Sequence, residues 1–336
     1  MAVKILAGDV GGTNTRLLVA RCGDSGPAVL REKVYSSQRY SDLATIIGEF
    51  SAEAEDRPVA ACIGVAGPVT AGEGTQTASV TNLPWKLDSR HLESSLGIAR
   101  VRIINDFEAI GHGIPALGAD DLLTLQQGQA LAGAPCAVLG AGTGLGQALL
   151  IGHEPGYEVL PTEGGHADFA PQDDEQISLL RALQRRFGHV SWERVLSGPG
   201  LISIYHFLGE NEGRLPDTGS DIDAAPEISR KALGGADPLA ARALGMFIRI
   251  YGAQAGNLAL TALARGGVYL AGGIASSVLR AENRDTFMQA FNSKGRMSEL
   301  TRQIPVHVIQ TTRVGLIGAV RLACRLAAAD ADNTTE

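Results

Sequence analysis

The chain has 336 residues, 45% of them hydrophobic, with 42 glycines and a net charge of −7. That length has room for two packed cores, and the lysines and arginines are scattered, so no stripe exists to neutralise a nucleic-acid backbone or an anionic membrane. A small-molecule partner is expected instead.

Residues 3–9 read as a strand, Gly11-Gly12 as a turn, residues 15–21 as a returning strand and residues near 28–35 as a third, a β-meander. Ser41 is placed to cap a helix whose Leu43, Ile46, Ile47 and Phe50 follow helical spacing, and residues 59–66 are an apolar run of buried-strand length. A further strand, VRIIND, ends at Asp106. Strands alternating with helices predict an α/β lobe with a largely buried sheet, whose sites belong at the carboxyl ends of strands, where Asp106 stands.

A second lobe is expected to start near residues 112–120. From Leu122 to Gly152 no charge occurs, but Pro135 and Gly140, Gly142, Gly144 and Gly146 interrupt the run. It therefore reads as two buried strands, 136–140 and 147–152, around a glycine turn rather than as a membrane span. Asp173 opens a helix with Ile177, Leu180, Leu183 and Phe187 on one face, and Asp237-Pro238 supplies the N-cap and first position of a long helix reaching about Ala264. Strand 268–271 then meets Gly272-Gly273. The last strand, 304–309, and the helix from Val314 are expected to fold back onto the first lobe. The domains so drawn are 1–116 plus 307–330, a small lobe; 117–306, a large lobe; and 331–336, a frayed tail. Gly12-Thr13 and Gly142-Thr143 hold comparable places in two turns, a hint of a duplicated lobe.

Cys22, Cys62, Cys136 and Cys324 form no CxxC or Cys/His cluster, which argues against a zinc site and against a disulfide framework, and fits a reducing cytosol. The N-terminus offers only a short apolar stretch before Asp9, with no signal-peptide cleavage site, so a cytoplasmic protein is expected.

The strongest local motif runs through Gly8, Asp9, Val10, Gly11, Gly12 and Thr13 to Arg16. Glycines let backbone N–H groups approach phosphate oxygens, Thr13 adds a hydroxyl, and Asp9 at a strand end suits the hydration shell of Mg2+. An ordinary hairpin turn is the plainer alternative. Gly142, Thr143 and Gly144 look like a second phosphate-contacting hairpin, although they match neither GxGxxG nor the P-loop, and no GK[ST] occurs in the chain. Gly272 and Gly273 suit an adenine or ribose lying on bare backbone, or else a plain strand-to-helix turn.

In this order the three elements resemble the two phosphate segments and the adenosine segment of the actin-like ATPase and sugar-kinase superfamily. Within it, Thr81-Asn82-Leu83-Pro84-Trp85, Ile104 through Ala109, Leu160 through His166 and Glu193 through Gly198 are similar to signature segments of the bacterial glucokinase family, and the absence of a cysteine-rich zinc motif sets the chain apart from the related repressor and open-reading-frame kinase family. The resemblance implies a two-lobed actin-like ATPase (ribonuclease H-like) α/β fold with a cleft between a small and a larger lobe. It also implies ATP and Mg2+ as cofactors, D-glucose as substrate and a homodimer. By the same resemblance Asp106 accepts the proton of the sugar 6-hydroxyl, while Asn105, Glu163, His166 and Glu193 bind ring hydroxyls. Each has a plainer reading. Asp106 could be a helix N-cap, Glu193 a first-turn acid favoured by a helix dipole, and Glu163 with His166 a metal pair, which Gly164-Gly165 opposes by breaking the helix such a pair needs. A sugar-responsive regulator is disfavoured, because the phosphate motif begins at residue 9 with no room before it for a helix-turn-helix. A kinase for another hexose, an amino sugar or acetate would share the nucleotide motifs.

Overall fold

A computed structural model describes residues 3–23, 26–52, 58–72, 74–153, 156–213 and 224–333. The chain divides into two compact units, Met1–Leu117 with Arg313–Glu336, and Gly118–Thr312.

The first unit opens with an antiparallel meander of β1 (Val3–Val10), β2 (Asn14–Cys22) and β3 (Ala28–Ser36), in which Asp9 lies opposite Arg16. Helix α1 (Leu43–Ala52) buries the apolar face read from its spacing: Leu43, Ile46, Ile47 and Phe50. Its cap is Asp42 rather than Ser41, because Asp42 Oδ1 accepts from the Thr45 N–H at 2.8 Å while the Ser41 hydroxyl donates to the other carboxylate oxygen. Strand β4 (Ala60–Val65), buried throughout, runs parallel to β1. Strands β5 (Val69–Gly72), β6 (Thr75–Ser79) and β7 (Lys86–Asp88) make a separate three-stranded sheet, and α2 (Ser89–Leu96), capped by Asp88, leads into β8 (Arg100–Asn105) and α3 (Asp106–Gly113). The main sheet has the order β3-β2-β1-β4-β8, so Asp9, next to last in β1, and Asp106, just past the end of β8, belong to strands on either side of β4.

The second unit begins at β9 (Leu122–Gln126) and continues through β10 (Cys136–Ala141), β11 (Leu145–His153) and β12 (Gly156–Thr162). Helix α4 (Asp174–Phe187) carries the expected Asp173 cap, but it buries Gln176, Leu179 and Leu183, a face rotated slightly from the expected one. Helices α5 (Gly198–Asn211) and α6 (Ala224–Leu233) precede α7 (Pro238–Thr261), where Asp237 Oδ1 accepts from Leu239 N at 2.9 Å behind Pro238, as expected. Strand β13 (Gly267–Ala271), helices α8 (Gly273–Val278), α9 (Ala281–Asn292) and α10 (Ser298–Gln303) and strand β14 (Val306–Ile309) complete the unit. The expectation that this last strand joins the first lobe is corrected. Strand β14 pairs in parallel with β13 and antiparallel with β9, where Val306 and Val308 fill the second unit's core.

Only α11 (Val314–Asn333) returns to the first unit, where Leu316, Ala319, Val320 and Ala323 cover one face of the sheet together with Ala109 of α3. Gly318 has to be glycine here, since a Cβ would run into the Ala109 carbonyl. The helix extends to Asn333, beyond the expected start of a frayed tail, and residues 334–336 of that tail lie outside the described residues. Cys22 at the end of β2 and Cys324 on α11 form a disulfide with a Cα–Cα distance of 5.8 Å, which corrects the expectation of unpaired cysteines. The cause is the packing of α11 beside β2, which sequence spacing does not display. Cys62 and Cys136 are free and buried. Among the described residues no helix is long and apolar enough to cross a membrane.

The hint of duplication becomes a topology. In the first unit β1 is antiparallel to β2 and parallel to β4, which is parallel to β8; in the second β10 stands in the same way to β11, β13 and β14. Each unit places a glycine-containing hairpin after the equivalent strand, β1 in the first and β10 in the second.

Candidate active site

In the first unit the β1–β2 hairpin is closed by Gly11 N–H donating to Asn14 O at 2.9 Å. Ser37 props it from outside the motif: its hydroxyl donates to Gly11 O at 2.8 Å and its N–H to Thr13 O at 2.9 Å. A Cβ on Gly12 would lie 2.8 Å from the Thr81 carbonyl oxygen, so the hairpin rests on the Thr81-Asn82 turn, where Asn82 adopts φ 63°. Thr13 is exposed, whereas Gly8 and Val10 are buried in the sheet, so any part they take in phosphate binding falls to their backbone. Burial pushes the Asp9 carboxyl above its usual range, against the lowering influence of Arg16.

Asn105 and Asp106 stand where β8 turns into α3. Asn105, not Asp106, is the N-cap: its Oδ1 accepts from Phe107 N at 2.8 Å and its Nδ2 donates to Gly67 O at 3.0 Å. Asp106 is thus the first residue of the helix, free of the capping duty that was its plainer reading. Burial raises its carboxyl from 3.8 to about 6, Asp9 adds to the rise, and the Phe107 N–H opposes it. A carboxylate of that kind is ionised at neutral pH yet more basic than an ordinary aspartate.

The second unit gathers Glu163, His166 and Glu193. A 3-10 turn at Gly164–His166 sets Glu163 and His166 three residues apart, with His166 Nε2 3.8 Å from Glu163 Oε2, and His166 Nδ1 lies 4.0 Å from Glu193 Oε1. The glycine pair between them has a steric reason: a Cβ on Gly165 would meet the Leu145 carbonyl of β11, and one on Gly164 would lie 2.5 Å from Gln147 Oε1. Glu163 and His166 side chains are 74% and 60% exposed, and that of Glu193 33%. Among the described residues no group of three His, Cys, Asp or Glu could hold a metal ion by itself. These groups are open acceptors and donors suited to neighbouring hydroxyls.

Glu193 also reaches the second hairpin, where its Oε2 accepts from Leu145 N at 3.0 Å. Within that hairpin Gly142 N–H donates to Gly144 O at 2.8 Å, and Gly142 O accepts from Gly198 N at 2.8 Å. Gly142 and Thr143 line a cavity of about 730 Å³ together with Gly273, Ile274 and Ser277 of α8 and Pro226, Ser229 and Leu233 of α6. Gly272 turns the chain from β13 into α8 at φ 88°, and a Cβ there would lie 2.7 Å from the Ala141 carbonyl oxygen. Sequence reasoning missed two contributors, Ser37 and the α6 wall. The first has no signal in a one-residue hydroxyl, and the second had one in the Ala225 and Ile228 spacing of 224–233.

The glucokinase family model matches residues 6–326. The glucokinase of Nostoc sp. is 41% identical over 343 residues, covering 96% of this chain and 99% of the relative, and that of Synechocystis sp. is 40% identical over 356 residues, covering 97% and 99%. A crystal structure of glucokinase from an Antarctic psychrotroph superposes with a TM-score of 0.84 at 30% identity, over 96% of this chain and 99% of that one. With a match that runs through both units and every segment just described, this chain belongs to the glucokinase family of sugar kinases, with the actin-like ATPase fold.

Proposed function

We propose that the chain transfers the γ-phosphoryl group of ATP to the 6-hydroxyl of D-glucose, giving glucose 6-phosphate and ADP, the first step of glycolysis, as a cytoplasmic homodimer. The observation that carries the reading is Asp106 at the first position of α3, relieved of capping by Asn105 and raised to about 6. Asp106 accepts the hydroxyl proton as the oxygen attacks phosphorus. Asn105 keeps one amide hydrogen and one acceptor lone pair for the sugar after its two local bonds. Glu163, His166 and Glu193 hold the ring hydroxyls, and a sugar lacking one of them leaves a partner unsatisfied, which is the source of selectivity.

The cavity beside Gly142, Thr143, Gly272 and Gly273 takes the adenosine, and the amides of Gly12, Thr13 and Gly144 serve phosphate oxygens, while the Gly11 N–H is spent on Asn14 O and holds the turn. Asp9, a strand-end carboxylate beside an open turn and outside any group of three potential metal ligands among the described residues, fits Mg2+ held through water rather than directly. When bound, that ion supplies neutralising charge on the phosphates.

Incubating the protein with Mg-ATP and a panel of hexoses, amino sugars and acetate, with ADP release as the readout, tests the reaction and its substrate together. Turnover with glucose well above the other acceptors is expected, and preference for another acceptor overturns the assignment. Size-exclusion chromatography with light scattering reads the dimer, and cell fractionation the location.

A further inference from the structure

Away from these residues the first unit assembles a cluster of arginines that the phosphoryl-transfer reaction does not use. Arg102 lies on β8, Glu108 and His112 on α3, and Arg321 and Arg325 on α11. His112 is only 7% exposed, and Arg325 Nη2 donates to its Nδ1 at 3.1 Å. A guanidinium has no acceptor, so the imidazole in this pairing is neutral and carries its proton on Nε2, 4.0 Å from Glu108 Oε1. The same Glu108 oxygen is 3.5 Å from Arg102 Nη2. Among the described residues Glu108 is the one carboxylate within ion-pair distance of any member of the cluster, and neither Arg321 nor Arg325 forms an ion pair. Arg321 Nε is buried and has no hydrogen-bond partner.

Three guanidinium charges therefore face a single carboxylate. Their mutual influence is visible in the titration of the groups between them: burial first, then Arg325, Arg102 and Arg321, hold His112 down at about 4, and burial with Arg321 and Arg102 lowers Arg325. Like charges packed this way repel one another unless an anion shares them. The unsatisfied charge amounts to about that of a phosphate dianion, and planar guanidinium forks match tetrahedral phosphate oxygens. The arginines gather from two elements, β8 and α11, around His112 of α3 instead of forming a stripe, which fits a compact anion and not a polymer backbone or a membrane surface. We infer that Arg102, Arg321 and Arg325 form a binding site for a small phosphate-bearing anion, inorganic phosphate or a phosphomonoester, separate from the residues that act on the sugar and ATP.

The test is thermal unfolding of the full chain in inorganic phosphate, in glycerol 3-phosphate and in chloride at matched ionic strength, for wild type and for the Arg321→Ala/Arg325→Ala double variant. Either phosphate compound is expected to raise the wild-type Tm where chloride does not, and the double variant is expected to weaken that response by about tenfold or more in concentration. Without phosphate the variant loses the Arg325 bond to His112 Nδ1 as well as the repulsion, so its own Tm in chloride is the baseline from which its phosphate response is read. A double variant that responds to phosphate as the wild type does, or a chloride response equal to that of phosphate, overturns the proposal. Should the alanine variant fail to fold, Arg321→Gln/Arg325→Gln keeps part of the aliphatic stem and an amide donor and removes the charge, and the same two comparisons decide.

Discussion

Asp106 makes the first unit less stable than it could be, and the amount follows from its environment. An aspartate that titrates at 3.8 when solvated and at about 6 in the fold binds its proton more tightly folded than unfolded. At about 1.4 kcal/mol per pH unit, the folded state loses about 3 kcal/mol as pH rises from below 4 to above 6. The direction is opposite to that of a salt-bridged carboxylate: here stability is present at low pH and lost as pH climbs through the folded value. Asp106→Asn removes the ionisable group while keeping an oxygen for the Phe107 N–H, whose bond to Asp106 Oδ1 is 3.0 Å long. The variant should melt higher than wild type above pH 6 by roughly 5 °C, the gap should close near pH 4, and turnover should fall to a fraction of about 10^-2 to 10^-4. Unfolding followed by fluorescence across that range, on both proteins, reads the effect. Equal melting temperatures at pH 8, or a gap independent of pH, would refute the account of a desolvated carboxylate.

Four further outcomes are expected. Gly144→Ala sets a Cβ 2.6 Å from Glu193 Oε2 and dislodges that carboxylate from Leu145 N; breaking such a charge-assisted bond costs about 1.5–3 kcal/mol, so the sugar KM should rise roughly tenfold or more while the ATP KM changes less. Ser37→Ala removes the hydroxyl that holds Gly11 O and should raise the ATP KM with little change for glucose; steady-state kinetics on both substrates separates these cases. Glu163→Ala should weaken glucose more than ATP, and equal effects on both would place Glu163 outside the sugar site. Denatured, unreduced protein should titrate two thiols, Cys62 and Cys136, rising to four after dithiothreitol, and the Cys22→Ser variant should lose about 2–4 kcal/mol of stability; four thiols without reductant would contradict the disulfide.

What was legible in the sequence was local. The meander, the α1 face, the Asp173 and Asp237-Pro238 caps and the glycine hairpins all depend on residues a few positions apart, and each leaves a period or a turn signature. What was not legible depends on partners far along the chain. Strand β14 ends just before α11, yet it takes its place from β13 and β9 in the other unit, and no property of Val306–Ile309 records that choice. Cys22 and Cys324 are 302 residues apart and meet only through the packing of α11. The small sheet of β5, β6 and β7 escaped because its strands have three to five residues, many of them Thr, Ser or Gly, too few to show alternation. The site residues were named from short segments. The capping role of Asn105, and so the freedom of Asp106, is visible only in the hydrogen bonds. The duplicated topology likewise left a single Gly-Thr pair in common between the two turns, because pairing direction survives substitution of nearly every side chain.

The pH dependence of kcat/KM for glucose at saturating Mg-ATP addresses the claim that Asp106 is the base. Wild type should lose activity with unit slope on the acid side of about pH 6, and Asp106→Asn should retain a fraction of about 10^-2 to 10^-4 of the turnover with that limb abolished. A variant that turns over near the wild-type rate, or a wild-type profile flat down to pH 4.5, would contradict it.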